Sequence, residues 1–168
     1  MIIVVCDANI LIDLLQVDLF KAFLELKWET YVPPGVVDEV QEDNSDQLIQ
    51  AIRSGKIALP VFTPEDLFKI QEFKARYLPL SVEDCSCLFL VENRSAILLT
   101  GERKLKTIAT ASHGLKVHGV LWIFERLIER KIISPRKAHA KLIHLMTLNN
   151  RLPKPECERL LKRWKKSF

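Results

Sequence analysis

The sequence predicts an α/β fold of three layers, α/β/α, around a central, mostly parallel, twisted sheet of about five strands. Three observations lead to this class. Short apolar runs alternate with segments of helical periodicity along most of the chain. The first of those runs ends abruptly in an acid, at Asp7. The last two helical segments, 135–149 and 154–166, have no strand after them, which predicts a C-terminal helical extension packed on the α/β core.

The first element is the continuous apolar run Ile2-Ile3-Val4-Val5-Cys6, closed by Asp7 and followed by a helical pattern. Such a run reads as a parallel strand buried on both faces. The expected strands are 2–6, 29–32, 57–62, 96–100 and 115–118. The expected helices are 9–15, 17–26, 34–42, 46–54, 64–76, 81–93, 102–112, 119–130, 135–149 and 154–166. Strands separated by helices require βαβ crossovers, which cover both faces of a parallel sheet. Pro33-Pro34, Thr63-Pro64 and Ser134-Pro135 each place proline where a helix opens. Gly55, Gly114 and Gly119 mark turns. Without repeats, low-complexity tracts or linkers, the 168 residues read as one domain, with a core over about 1–130 and the extension over about 131–168.

Composition narrows the class further. No apolar stretch approaches the roughly 20 residues that span a bilayer. The N-terminus lacks the basic region of a signal peptide, so a cytoplasmic protein without a membrane partner is expected. Cys6, Cys85, Cys87 and Cys157 have neither zinc-site nor secretory spacing and read as small buried hydrophobes. The net charge of +4 is unevenly placed. From Arg151 onward seven basic residues face two acidic ones, a balance of +5 that leaves −1 over the preceding 150 residues. This tail suits a solvated helix face and a patch for phosphates or an acidic partner equally well.

Four acids stand where open α/β sheets bind ligands, beyond the carboxyl ends of the strands. Asp7 ends the first strand; capping of the next helix and metal ligation account for it equally well. Asn9 shares the ambiguity, as a cap or as a group orienting Asp7. Glu39 lies at the margin of the Val36, Val37, Val40 stripe, whereas Asp38 points nearly opposite, toward water. Asp84 is three residues after Ser81, the acidic place of a capping box. The free amides and positive dipole of that first turn also keep a carboxylate ionised and aimed. Glu83 reads as its solvent-facing neighbour. Glu102 follows the strand 96–100 through Thr100 and Gly101 and reads as an acid in a first helical turn. Thr100 can cap that helix or bond a metal-bound water.

Each acid alone has an ordinary structural explanation, but four converging on one sheet edge point to a divalent cation. Uncompensated carboxylates repel one another. Magnesium is bound by a few carboxylates plus waters and substrate phosphates, and such a site hydrolyses phosphodiesters. The histidines compete poorly. His139 and His144 leave their helix on different faces, and His113 and His118 flank a short strand as surface or packing groups.

The segments Cys6-Asp7-Ala8-Asn9-Ile10-Leu11-Ile12-Asp13-Leu14-Leu15, Val36-Val37-Asp38-Glu39-Val40, Leu80-Ser81-Val82-Glu83-Asp84-Cys85-Ser86 and Leu98-Leu99-Thr100-Gly101-Glu102-Arg103-Lys104-Leu105 together resemble a PIN domain, in order and in spacing, over roughly residues 1–125. The tail, with Leu148-Asn149-Asn150-Arg151-Leu152-Pro153 and a basic last helix, is similar to an extension in some bacterial members. The resemblance implies a PIN-like fold with Asp7, Glu39, Asp84 and Glu102 as catalytic and metal-binding residues, and Asn9 and Thr100 in support. It implies Mg²⁺ or Mn²⁺ as cofactor and RNA as substrate of an endoribonuclease, as in the toxins of toxin–antitoxin pairs. An antitoxin protein and a homodimer are the partners it suggests. Arg103, Lys104, Arg151, Arg159, Lys162 and Arg163 are the candidates for nucleic-acid binding. In two places the chain departs from the family pattern. Ala8 stands where many members have threonine or serine, and Glu102 replaces the usual aspartate. The second departure motivates an alternative, a PIN-fold module that binds RNA or protein without catalysis. Two other doubly wound families fit poorly. A haloacid-dehalogenase-type phosphatase needs an acid where Asn9 stands, and a receiver domain needs one after the third strand, at Leu59-Pro60-Val61-Phe62-Thr63.

Overall fold

A computed structural model describes residues 1–41 and 46–168. The chain runs β1 (Ile3–Cys6), α1 (Ala8–Gln16), α2 (Phe20–Leu24), β2 (Glu29–Tyr31), α3 (Pro34–Gln41), α4 (Asp46–Arg53), α5 (Pro64–Arg76), α6 (Val82–Arg94), β3 (Ile97–Leu99), α7 (Arg103–His113), β4 (Val117–His118), α8 (Val120–Glu129), α9 (Pro135–Leu148) and α10 (Lys154–Lys165). The helix expected over 34–42 is present as α3, and its last expected residue lies outside the described residues.

The strands hydrogen-bond in the order β2-β1-β3-β4, and every pair is parallel. Val4, Val5 and Cys6 are wholly buried in β1, as strands covered on both faces must be. From β1 the chain turns one way to β2 and later returns across β1 to β3. Right-handed crossovers in opposite directions put their helices on opposite faces. Accordingly α6 packs on β1, β3 and α7, while α1 packs with α2, α3 and α8. The reversal leaves a crevice beyond the carboxyl ends of β1 and β3, the switch point where this class of fold binds ligands.

The sheet has four strands rather than about five. The segment expected as strand 57–62 pairs only at Ala58, whose N–H donates to Thr30 O at 2.8 Å and whose carbonyl accepts from Val32 N at 3.1 Å. Pro60 has no N–H to extend this ladder, and Leu59 and Val61 are exposed. The apolar run therefore flanks the β2 edge as one bridge.

Phe20, Phe23 and Phe124 are among the largest fully buried side chains of the core, each contributing about 1.5–3 kcal/mol of burial free energy. The extension shares that core: Leu142 and Leu145 of α9 and Cys157, Leu160 and Trp164 of α10 are buried. Trp164 stacks on Phe124 with ring centroids 6.0 Å apart. All four cysteines are free and buried, as their spacing suggests. Among the described residues no helix is long and apolar enough to cross a membrane.

Candidate metal centre

Asp7 is held by its own strand end. Its N–H donates to Leu99 O at 3.0 Å, so the β1–β3 ladder continues one residue past the strands. Oδ1 accepts from Ala8 N at 2.7 Å, the N-cap bond of α1. Oδ2 accepts from Thr100 Oγ1 at 2.7 Å and from Asn9 Nδ2 at 2.8 Å. Capping and orientation toward the crevice are thus one arrangement. Burial pushes the Asp7 carboxyl up from its ordinary range, and the charge of Asp84 adds to the rise. The bonds from Thr100, Ala8 and Asn9 oppose it.

Thr100 and Asn9 act as clamps. The Thr100 hydroxyl gives its proton to Asp7 and accepts from Glu102 N at 3.0 Å, so one buried oxygen links both strand ends. Asn9 donates to Asp7 and accepts from Gly101 N at 2.8 Å through Oδ1. A Cβ at position 101 would lie 3.2 Å from that Oδ1, which is why glycine fits there.

Asp84 occupies the capping box of α6: its Oδ2 accepts from Ser81 N at 2.8 Å, and its N–H donates to Ser81 Oγ at 3.0 Å. Its carboxyl is raised first by burial and then by the charges of Glu102 and Glu83. Glu83 is half-buried, not solvent-facing: its side chain lies over Gly35, where an added Cβ would come within 3.0 Å of Glu83 Cγ. Glu39, on the exposed margin of α3, reaches the same cleft. Glu102 is the N-cap of α7, one position before the first turn expected for it, and makes no capping bond through its side chain. That side chain is half-buried and meets Arg151 Nη1 at 3.7 Å.

Asp7, Glu39, Asp84 and Glu102 therefore line one cleft of about 330 Å³, with Asn9 and Lys104 on its wall. Thr100 lies just behind it, through Asp7. The donors are all carboxylate oxygens, a hard set that suits Mg²⁺ or Mn²⁺. Among the described residues no three ligating side chains are drawn into a preformed cage. A cation here would keep waters between itself and part of the set, as magnesium does. Of the basic candidates, Lys104 belongs to the cleft and Arg151 reaches its rim from the extension. Arg103, Arg159, Lys162 and Arg163 are exposed farther out, with Arg159 paired to Glu156 at 3.8 Å and Arg163 paired to Glu125. The histidines pack: His113 bonds Tyr77 and Glu92, and His118 stacks on Trp122.

Sequence reasoning passed over Asp13. It is 6% exposed, and both its carboxylate oxygens accept from Asn149 Nδ2 at 3.1 Å. The available signal was an acid inside the otherwise apolar stretch Ile10-Leu11-Ile12-Asp13-Leu14-Leu15, which requires a partner when buried. Asn149 Oδ1 in turn accepts from Arg151 N at 2.9 Å. A polar chain thus runs from α1 to the loop that brings Arg151 to Glu102.

The comparisons agree with this architecture. The crystal structure of PAE2754 from Pyrobaculum aerophilum superposes with a TM-score of 0.55 at 15% identity, over 76% of this chain and 98% of that one. At that identity the likeness shows the fold alone. No curated protein matches this chain in sequence. A family model described as a PIN domain matches residues 3–166, nearly the whole length. PIN domains are typically nucleases that use divalent metals. The chain belongs to the PIN domain family.

Proposed function

We propose that the protein is a metal-dependent endoribonuclease, and that it serves as the toxin of a toxin–antitoxin pair. One observation carries the catalytic reading: four carboxylates line a single cleft at the switch point of the sheet, and the most buried of them, Asp7, is oriented by three donors. The antitoxin partner and the homodimer rest on the family resemblance, and a cytoplasmic location goes with a role that acts on cellular RNA.

In this reading Asp7 and Asp84 would hold the principal Mg²⁺ or Mn²⁺, with Glu39 and Glu102 completing the set of carboxylates around it. A bound divalent cation activates water and stabilises the leaving oxygen of a phosphodiester. The chain's own groups supply position. Thr100 and Asn9 fix the Asp7 carboxylate, and the Ser81 box fixes Asp84, so neither has to reorganise when substrate arrives. Lys104 offers the cleft a cation for the scissile phosphate. Arg151, with Arg103, Arg159, Lys162 and Arg163 farther out, attracts the RNA backbone, a contribution that weakens with salt.

The test is cleavage of RNA by the pure protein with Mn²⁺ or Mg²⁺, beside Asp7→Asn and Asp84→Asn. Loss of two orders of magnitude or more in both variants is expected, on the order of a misplaced catalytic metal. Equal cleavage by wild type and variants would trace the activity to a contaminant. The alternative, a binding module without catalysis, is favoured by one feature, the Arg151–Glu102 pair that partly neutralises the cluster. It predicts RNA binding without cleavage.

A further inference from the structure

A second cleft, of about 410 Å³, adjoins the acidic one and shares Asn9 and Glu102 with it. It opens between the carboxyl edge of β3 and β4, the start of α8 and the loop joining α9 to α10. We propose that this cleft binds the base and ribose of the ribonucleotide next to the phosphate held at the acidic cluster, and selects bases whose edge carries an amino group. The proposal rests on the ribonuclease reading of the neighbouring cleft.

Size is the first support. The volume lies within the roughly 300–1,000 Å³ of small-ligand sites and takes one nucleotide rather than a duplex. Aromatic surface is the second: His118, half-exposed on the wall, stacks on Trp122 with centroids 4.2 Å apart and planes 6° from parallel, and Trp28 packs on Trp122 at 5.0 Å, so the outer face of His118 is the one left for a base. Stacking on such a surface is how single-stranded bases are held, whatever their identity. Selectivity comes from Asp13, which lines the cleft with Asn149. Each Asp13 oxygen accepts one bond from Asn149 and keeps acceptor capacity for another donor. Guanine, adenine and cytosine carry an exocyclic amino donor, whereas uracil has none.

Charge agrees with the assignment. The rim acids Glu102, Glu125 and Glu156 each pair with an arginine: Arg151, Arg163 and Arg159 in turn. Lys106 also lines the cleft and is exposed. A nucleotide phosphate therefore meets a rim whose negative charge is matched. Because the two clefts meet at Asn9 and Glu102, a strand with its phosphate at the acids can lay the adjoining base against His118.

The experiment titrates guanosine, adenosine, cytidine and uridine 5′-monophosphates into the full chain, first with Mg²⁺ and then in a metal chelator, by calorimetry and tryptophan fluorescence. Saturable binding is expected, about tenfold weaker for the uridine nucleotide, and Asp13→Asn should narrow that difference. Gly119→Leu fills the cleft from a backbone (φ −97°, ψ −176°) open to any residue, where an added Cβ meets only Thr100 O at 3.8 Å. It should weaken binding by about tenfold or more, while Mn²⁺ binding at the acidic cleft stays unchanged. His118→Leu, which keeps apolar bulk and loses the stacking face, should do the same. Absence of nucleotide binding, or equal affinity in both variants, would overturn the proposal. Nucleotide binding without any metal-dependent cleavage would instead remove the ribonuclease reading and leave the cleft standing as a nucleotide site. Cleavage without nucleotide binding would do the reverse.

Discussion

Thr100 carries more of the site than its size suggests. The residue is 2% exposed, and its hydroxyl links the Asp7 carboxylate to the Glu102 amide. Thr100→Val keeps the shape and strands two buried polar partners, at a cost of about 1–3 kcal/mol. Urea denaturation should show that loss, with a fall in metal affinity beside it. Gly101→Ala acts differently: its Cβ would press on Asn9 Oδ1 from 3.2 Å, so stability should change little while cleavage drops as Asp7 loses its orienting amide. Unchanged kcat in this variant would remove Asn9 from the account. At this scale the sequence was informative about which acids gather in one cleft and silent about what holds them. The bonds from Gly101 to Asn9 and from Thr100 to Asp7 span 92 and 93 residues, and no local pattern encodes a contact of that separation. For the two aspartates the local explanation is also true. Asp7 caps α1 and Asp84 closes a capping box, and these bonds are themselves what aims the carboxylates.

Among the elements, α6 shows how capping and chemistry combine. Ser81→Ala removes the acceptor of the Asp84 amide, which costs about 1 kcal/mol of stability, and removes one of the two Ser81 contacts that favour the ionised Asp84 carboxylate, the bond from Ser81 N–H remaining. Chemical denaturation and Mn²⁺ calorimetry should therefore both register this one hydroxyl; a stability loss with unaltered metal affinity would confine Ser81 to a structural role. The element boundaries were legible wherever a cap or proline announced them, as at Thr63-Pro64 and Ser134-Pro135. They were misjudged at 57–62, where an apolar run mimics a strand but Pro60 and the exposed Val61 leave only the Ala58 bridge. Glu102 was placed one position too far into α7 for a related reason, since its extended backbone (φ −77°, ψ 117°) is set by the turn after β3 and not by helix propensity.

Across the whole molecule, Asp13 and Asn149 join the first helix to the extension over 136 residues of chain. Burial pushes the Asp13 carboxyl up from 3.8 to about 6, against the Asn149 bond that favours its charged form. The folded chain then keeps a proton that the unfolded chain releases between those pH values. Stability from this group is present at low pH, declines as pH rises through about 4 to 6, and stays lost above. The shift corresponds to roughly 2–3 kcal/mol. Asp13→Asn abolishes the titration, so wild type should gain that much relative to the variant between about pH 7 and pH 4 in urea melts. A constant difference would show that Asp13 does not titrate in this range. The alternation of strand and helix made the core and the extension legible, but which loop of the extension meets the sheet edge depends on side chains that only the folded chain brings together.

The central claim is that Asp7, Glu39, Asp84 and Glu102 form a divalent-cation site. Calorimetric titration of Mn²⁺ into the metal-free protein tests it without reference to any RNA. The account predicts saturable binding in wild type, abolished by Asp7→Asn and by Asp84→Asn, weakened by Glu39→Gln and Glu102→Gln, and untouched by Gly119→Leu. No binding in wild type, or binding that survives both aspartate substitutions, would contradict it.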